Sequence, residues 1–210
     1  MNQPPYLATT CVRCGFQHNC YCDAIPTITS DLTVTLLTHP NETKRATNTG
    51  QIVKQLLPNT HIDIWQRKGP IPSYIASQER LSVRESELEP TTPVLVFPSE
   101  SSVPLAQWQS QHPRGSHFIL LDATWQEAKK MLNRSEWLQA LPQVSITAPE
   151  SSQYQLRRNQ QSGNLCTFEV VAQMINELES DKTARTMLAF FKDYLARYQA
   201  ERCGHRLDKP

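Results

Sequence analysis

This chain has few glycines, almost no net charge and no long apolar segment. Its 210 residues include six glycines against fifteen prolines, which indicates long but well-defined loops. No apolar run approaches the roughly 18 residues that a membrane span needs, which argues against a membrane protein. Residues 1–5 lack the basic and apolar regions of a signal peptide. We therefore expect a cytoplasmic protein whose six cysteines are thiols or metal ligands rather than disulfides.

The composition is that of an ordinary soluble globular protein, with 39% hydrophobic and 20% charged residues. A formal net charge of +1 means that any nucleic-acid site must be a local basic patch. The length fits one domain with a sizeable core and room for a small appendage. Composition alone leaves the function open.

Short apolar runs alternate with helical patterns along the chain. Because strands that alternate with helices form parallel sheets, we predict an α/β fold with a mainly parallel sheet and helices on both faces. The charged composition of residues 82–89 predicts a solvated surface segment. The region 66–92, which contains it, has no assigned role. The predicted strands are 32–38, 61–65, 93–97, 117–121 and a weaker one at 143–147. The predicted helices are 50–57, 167–178 and 182–202, the last with Leu188, Phe191, Leu195 and Tyr198 on one face.

Four cysteines near the N-terminus follow the spacing C-x2-C-x5-C-x-C. A tetrahedral zinc site takes four thiolates, and a complete shell leaves no open position for catalysis, so we predict a structural zinc module at 1–30. Residues 31–205 would form the main domain. Unmetallated thiols or a disulfide pair are the alternatives, and His18 is a possible substitute ligand. The four cysteines are Cys11, Cys14, Cys20 and Cys22.

Polar residues follow the first and third predicted strands. Asn48 suits a helix N-cap with Gln51 as its partner, and the start of a helix attracts anions. Arg45 offers a planar fork for phosphate, although a well-capped helix with a solvated arginine explains the segment equally well. Ser99 offers a hydrogen bond to a ligand, but a simple turn is the more ordinary interpretation.

Asp122 ends the most apolar strand. A carboxylate directly after three apolar residues is costly to ionise without a partner, and ligands bind at the carboxyl ends of strands in open α/β sheets. Thr124 and Glu127 form the pattern of a capping box, and Trp125 fits either the core or the wall of a ligand site. The functional interpretation is therefore favoured for Asp122.

Two further segments are basic or lie at a helix start. Arg157 and Arg158 form a basic pair that is either a solvated face or a phosphate contact. Glu169 falls in the first turn of the predicted helix 167–178, where a negative charge interacts favourably with the helix dipole.

Taken in order, these segments resemble the motifs of the DTW-domain family, the tRNA-uridine aminocarboxypropyltransferases. The resemblance runs from residue 11 to 172, and Cys166 departs from the small hydroxyl residue expected there. The segments that carry it are the cysteine module, His39-Pro40, Arg45, Thr47-Asn48-Thr49-Gly50, Ser99, Asp122-Ala123-Thr124-Trp125 and Thr167-Phe168-Glu169.

The resemblance implies a SPOUT-like fold with a C-terminal trefoil knot, S-adenosylmethionine as donor and N3 of a tRNA uridine as acceptor. Asp122 would be the general base, or an ionised group that orients the substrates. Arg45, Arg157 and Arg158 would contact RNA phosphates. The oligomeric state is open, with a monomer slightly favoured. The implied donor-site residues are Asn48, Thr49, Gly50, Ser99, Thr124, Trp125, Thr167 and Glu169.

Two alternatives remain. An S-adenosylmethionine-dependent RNA methyltransferase would share the donor and acceptor but transfer the methyl group. A zinc-containing RNA-binding adaptor would lack catalysis altogether, and Asp122→Asn would leave its function unchanged.

Overall fold

The computed structural model describes residues 10–69, 72, 92–113, 115–147 and 165–207. The predicted surface segment 82–89 and the basic pair Arg157 and Arg158 lie outside the described residues.

Six parallel strands form the sheet, in the order β2-β1-β5-β3-β6-β4. Thr38 pairs with Asp122 in the register of β1 and β5, so the carboxyl ends of these central strands lie level. The predicted parallel sheet is confirmed, whereas the short strand β4 was not predicted. The strands are β1 (Thr33–Thr38), β2 (Thr60–Ile64), β3 (Thr92–Val96), β4 (Val103–Pro104), β5 (Ser116–Asp122) and β6 (Gln143–Ser145).

Among the described residues, six α-helices accompany the sheet. The three predicted helices are found within one residue of their expected bounds, and a helix also follows Asp122. The sequence pattern did not indicate α2 or α4. None of these helices has both the length and the apolar character that crossing a bilayer requires. The helices are α1 (Gly50–Leu56), α2 (Leu105–Gln111), α3 (Trp125–Asn133), α4 (Glu136–Gln139), α5 (Thr167–Leu178) and α6 (Asp181–Arg202).

Alternate side chains of the central strands enter two separate cores. Leu36 and Leu120 join a core with α1, α2, α5 and α6. Leu37 and Ile119 join a second core with α3 and α4. Because successive strand residues point to opposite faces, continuously apolar strands need cover on both sides. The prediction of helices on both faces is therefore confirmed.

The predicted face of α6 packs against the core, and the buried surface of the helix also includes residues outside that face. Phe191 and Tyr198 are buried as expected, but Met187 and Tyr194 accompany them, and Leu188 and Leu195 are only partly buried. The tyrosines turn inward because the N-terminal segment supplies rings for them to pack against. Aromatic pairs contribute beyond their buried area, which favours the tyrosine face.

The cysteine-containing segment packs on the end of α6. Phe16 and Tyr21 contact Tyr194 with ring centroids 6.4 Å and 5.0 Å away. Glu201 accepts hydrogen bonds from the backbone N–H groups of residues 17–19. Burial opposes ionisation of Glu201, but these donors outweigh it and lower its pKa. The N-terminal module thus shares a core with the rest of the chain.

Candidate functional site

Asp122 lies at the end of β5 and is 2% exposed. Its Oδ1 accepts a hydrogen bond of 2.7 Å from the Thr167 hydroxyl, at the first residue of α5. Its Oδ2 accepts bonds from the Thr38 hydroxyl at 3.1 Å and the Asn48 amide at 2.9 Å. Three donors therefore compensate the cost of burying this carboxylate. They also join β1, β5, the loop before α1 and the start of α5 at one point.

Gly50, the first residue of α1, lies against this carboxylate. A Cβ atom at this position would lie 2.9 Å from Asp122 Oδ2 and 3.0 Å from Leu36 Cδ1. Only a residue without a side chain allows so close an approach. The carboxylate thus sits beside the positive end of the α1 dipole, which stabilises its charge.

Asn48 and Thr49 bring the starts of α1 and α5 together. The Asn48 Oδ1 accepts the Gln51 N–H at 3.2 Å, as a capping side chain does. The N-cap residue itself is Thr49, one position later than predicted, and its hydroxyl accepts the Phe168 N–H at 3.3 Å. Since the Asn48 oxygen is committed to α1, its amide nitrogen is directed at Asp122.

Glu127 connects the loop after β1 to the start of α3. The capping box predicted for Thr124 and Glu127 is confirmed. The Arg45 guanidinium binds the Glu127 carboxylate with both of its terminal nitrogens, at 2.8 Å and 2.9 Å, and also pairs with Glu42. Asn41 donates a further bond of 3.1 Å. The loop is thereby attached to α3 close to Asp122.

This ion pair changes the protonation chemistry of both partners. Burial raises the pKa of Glu127, but hydrogen bonds from Arg45, Thr124 and Asn41 outweigh it and hold that pKa well below its usual range. The Glu127 contact raises the pKa of Arg45 against the opposing effect of burial. Both groups are charged at neutral pH. Sequence reasoning missed this pair, because its members lie 82 residues apart.

Trp125 and Ser99 are the exposed residues among the predicted donor-site residues. Trp125 is 43% exposed and stacks on Phe97, with centroids 5.2 Å apart and an interplanar angle of 6°. Lys129 Nζ lies 5.3 Å from the Trp125 ring centroid. Ser99 is exposed in a turn in which its carbonyl accepts the Ser102 N–H at 3.2 Å. The turn interpretation therefore holds for Ser99, which leaves its hydroxyl at the surface.

Glu169 and Cys166 are joined by a hydrogen bond that stabilises the start of α5. Glu169 is 4% exposed and accepts the Cys166 N–H at 2.9 Å. Cys166 occupies the N-cap position of α5. Burial, followed by the nearby Glu169 charge, raises the pKa of the Cys166 thiol well above its usual range. The thiol is therefore neutral where a small hydroxyl residue was expected.

The predicted donor-site residues thus fall into two sets. Buried or partly buried side chains that bond to one another or to helix starts form the first set, which is Asn48, Thr49, Thr124, Thr167 and Glu169, with Gly50 beside them. Ser99 and Trp125 form the exposed set. Thr38 belongs to the buried set but was missed, because a threonine at the end of an apolar strand reads as an ordinary β-branched residue.

The four cysteines of the N-terminal module form one cluster. Their sulfur atoms all lie within 4.8 Å of one another, with close pairs at 3.5 Å, 3.7 Å and 3.8 Å. These separations exceed the disulfide bond length of about 2.05 Å. They are close to the edge of about 3.8 Å expected for a tetrahedron with zinc–sulfur bonds of about 2.3 Å. The cluster therefore has the donor set and spacing of a metal site.

The chain matches the family described as the DTW domain over residues 8–199. It is 29% identical to a Drosophila melanogaster protein named tRNA-uridine aminocarboxypropyltransferase 2, over 94% of this chain and 78% of that protein. It is 24% identical to an Arabidopsis thaliana protein named tRNA-uridine aminocarboxypropyltransferase A, over 87% and 77% of the two chains. No solved structure matches it. The resemblance carried by the short motifs is therefore confirmed, and the chain belongs to the DTW-domain family.

Proposed function

We propose that this protein is a tRNA-uridine aminocarboxypropyltransferase that uses S-adenosylmethionine as the group donor. The observation that carries the proposal is the match to two relatives named for this activity, which extends over 94% and 87% of this chain. The site supports it, because Asp122, Thr124 and Trp125 lie where parallel α/β sheets bind ligands.

The reaction forms a bond between uracil N3 and the γ-carbon of the 3-amino-3-carboxypropyl group. The bond from that carbon to the sulfonium breaks, the sulfur leaves as 5′-methylthioadenosine, and the N3 proton is lost. The sulfonium carries more than one electrophilic carbon. Positioning of the γ-carbon against N3 therefore supplies both the specificity and much of the rate.

In this proposal the donor lies between the two helix starts and the exposed Ser99 and Trp125. The start of α5 attracts the methionine carboxylate, as helix N-termini attract anions. Asn48, Thr49, Gly50, Thr124, Thr167 and Glu169 form the frame that fixes this position, and Trp125 supplies a ring for uracil or for the donor.

Asp122 has two candidate roles in this reaction, as an orienting group or as the general base. Its burial and its three hydrogen-bond donors support the orienting role, in which an ionised carboxylate holds the site together and offsets the sulfonium charge. As a general base it would instead take the N3 proton. Loss of the orienting role weakens donor binding, whereas loss of the base lowers kcat with donor affinity retained.

The proposal includes a structural zinc ion on Cys11, Cys14, Cys20 and Cys22. The sulfur separations support this assignment, and a four-thiolate shell agrees with a reaction that needs no metal. The division into a module at 1–30 and a domain at 31–205 remains a prediction. So do the SPOUT-like topology with its knot, the cytoplasmic location, the monomeric state, and the RNA contacts of Arg45, Arg157 and Arg158.

Nucleoside mass spectrometry tests the reaction. Unmodified tRNA incubated with the protein and S-adenosylmethionine is expected to yield 3-(3-amino-3-carboxypropyl)uridine, and Asp122→Asn is expected to abolish it. A methylated nucleoside would indicate the methyltransferase alternative. An intact protein that binds tRNA and modifies nothing would indicate the adaptor.

A further inference from the structure

We propose that the solvent face of α3 and the groove at the junction of α3 and α4 bind the RNA backbone next to the acceptor uridine. This inference rests on the proposed function and names the surface on which that function places its tRNA. The surface, called here the α3 face, consists of Lys129, Lys130, Arg134 and Arg67.

The cations along α3 have no acidic partner in the part of the chain that the structure describes. Lys129, Lys130 and Arg134 are exposed, and within the described ranges none of them forms an ion pair. The acid within α3, Glu127, is already bound by Arg45. Uncompensated cations on the solvent side and at the C-terminal end of one helix create a local positive patch in a chain whose net charge is only +1.

The helix on the opposite side of the sheet differs. On α6, Arg185 pairs with Asp181 and Arg197 pairs with Asp193, each four residues earlier. Each of these pairs is locally neutral, although Lys182 and Lys192 of the same helix are exposed and form no ion pair within the described ranges. The α3 face differs from α6 mainly in its position, because it continues from Trp125 and would therefore meet the phosphates next to the acceptor uridine.

A groove continues the α3 face beyond the end of the helix. Its volume is about 280 Å³, and Arg67, Arg134 and Trp137 line it together with one acid, Glu136. A neighbouring hollow of about 300 Å³ shares Trp137 and adds a second acid, Asp63. Cations beside a partly exposed aromatic ring such as Trp137 are a combination that single-stranded nucleic acid favours, because phosphates bind the cations and a base stacks on the ring.

The α3 face starts at the candidate site. Trp125 follows Asp122 by three residues, and Lys129 Nζ lies 5.3 Å from its ring centroid. Arg134 lies nine residues after Trp125, which corresponds to roughly 14 Å along the helix axis at a rise of about 1.5 Å per residue. A strand whose uridine reaches Trp125 would therefore pass Lys129 and Lys130 before it enters the groove.

The salt dependence of tRNA binding tests this surface. The double variant Lys129→Ala/Arg134→Ala removes two cations from the α3 face, and Lys182→Ala/Lys192→Ala removes two exposed cations from α6 as a matched control. We expect the α3 variant to weaken tRNA binding about tenfold or more at low salt. Its slope of log K against log salt should flatten by roughly 1–2, the effect of two lost phosphate contacts. The control is expected to keep the wild-type slope, and both variants to keep the wild-type Kd for S-adenosylmethionine.

An unchanged salt slope in the α3 variant, or equal flattening of the slope in both variants, would contradict the proposal that the α3 face binds RNA. Product formation by the wild type, measured in parallel, separates this result from the fate of the proposed function. If the wild type forms the product and the salt slope of the α3 variant is unchanged, only the proposed RNA-binding surface is wrong. If tRNA binding depends on the α3 face but the wild type forms no product, only the proposed reaction is wrong. No tRNA binding by the wild type would overturn both.

Discussion

The Thr167 hydroxyl donates a hydrogen bond of 2.7 Å to Asp122, across 45 residues of chain. The bond joins the first residue of α5 to the last residue of β5, and Asn48 adds the segment before α1 to the same carboxylate. A single buried carboxylate thus links the starts of two helices to the carboxyl ends of two central strands. The integrity of the site depends on these donors.

Removal of the Thr167 hydroxyl should destabilise the protein. Thr167→Val keeps the shape of the side chain but leaves a buried carboxylate short of one donor, so we expect a loss of about 1.5–3 kcal/mol in the free energy of unfolding. Thr167→Ser keeps the donor and should lose much less. Urea denaturation measures both, and equal stability of the two variants would contradict the role of this bond.

Gly50→Ala should be destabilising although alanine is the better helix former. The added Cβ would lie 2.9 Å from Asp122 Oδ2, and we expect overpacking to cost roughly 1–3 kcal/mol in the free energy of unfolding. The exposed neighbour Gln51 provides the control, since Gln51→Ala removes only solvated atoms. A Gly50→Ala protein as stable as wild type would mean that the close approach is not needed.

The Arg45–Glu127 pair should make stability depend on pH in the acid range. The folded-state pKa of Glu127 lies below its usual value, so its contribution is complete above about pH 4.3 and is lost as pH falls further. Glu127→Gln lacks this contribution. We expect the variant to be less stable than wild type at pH 7, with a gap that narrows below about pH 4.3. Unfolding curves from pH 7 to pH 3 measure the gap, and a constant gap would contradict the ion pair's contribution.

Loss of one cluster cysteine should release the metal and loosen the N-terminal module. Cys14→Ser is expected to lower zinc content and Tm together, because metal binding and folding are coupled in structural zinc sites. Cys203, exposed and outside the cluster, serves as the control in Cys203→Ser. Elemental analysis alongside thermal melting decides the matter. Full zinc content in Cys14→Ser with wild-type Tm would remove the zinc assignment.

Sequence reasoning predicted the parts of the fold that local patterns encode. Strand β5 and helix α5 were recognised because a continuous apolar run and a 3.6-residue period determine them locally. The part of the buried α6 face that includes Tyr194 was not predicted, because Tyr194 packs against Phe16 and Tyr21, which lie far away in the chain. Such contacts leave no local periodic signal.

The site was predicted in the same uneven way. Asp122 stood out as a carboxylate after an apolar strand, and the Thr124 cap follows from a spacing of three residues. Thr38 and the partner of Arg45 depend on the register of β1 with β5 and on the path of a loop. These relationships exist only in three dimensions, so a single sequence does not reveal them.

The identity of the second product tests the central claim most directly. Transfer of the aminocarboxypropyl group leaves 5′-methylthioadenosine, whereas methyl transfer leaves S-adenosylhomocysteine. We expect wild-type protein with unmodified tRNA and S-adenosylmethionine to release 5′-methylthioadenosine in amounts equal to the modified uridine, with neither product formed by Asp122→Asn. Release of S-adenosylhomocysteine with a methylated nucleoside, or of neither product by the wild type, would contradict the proposed function.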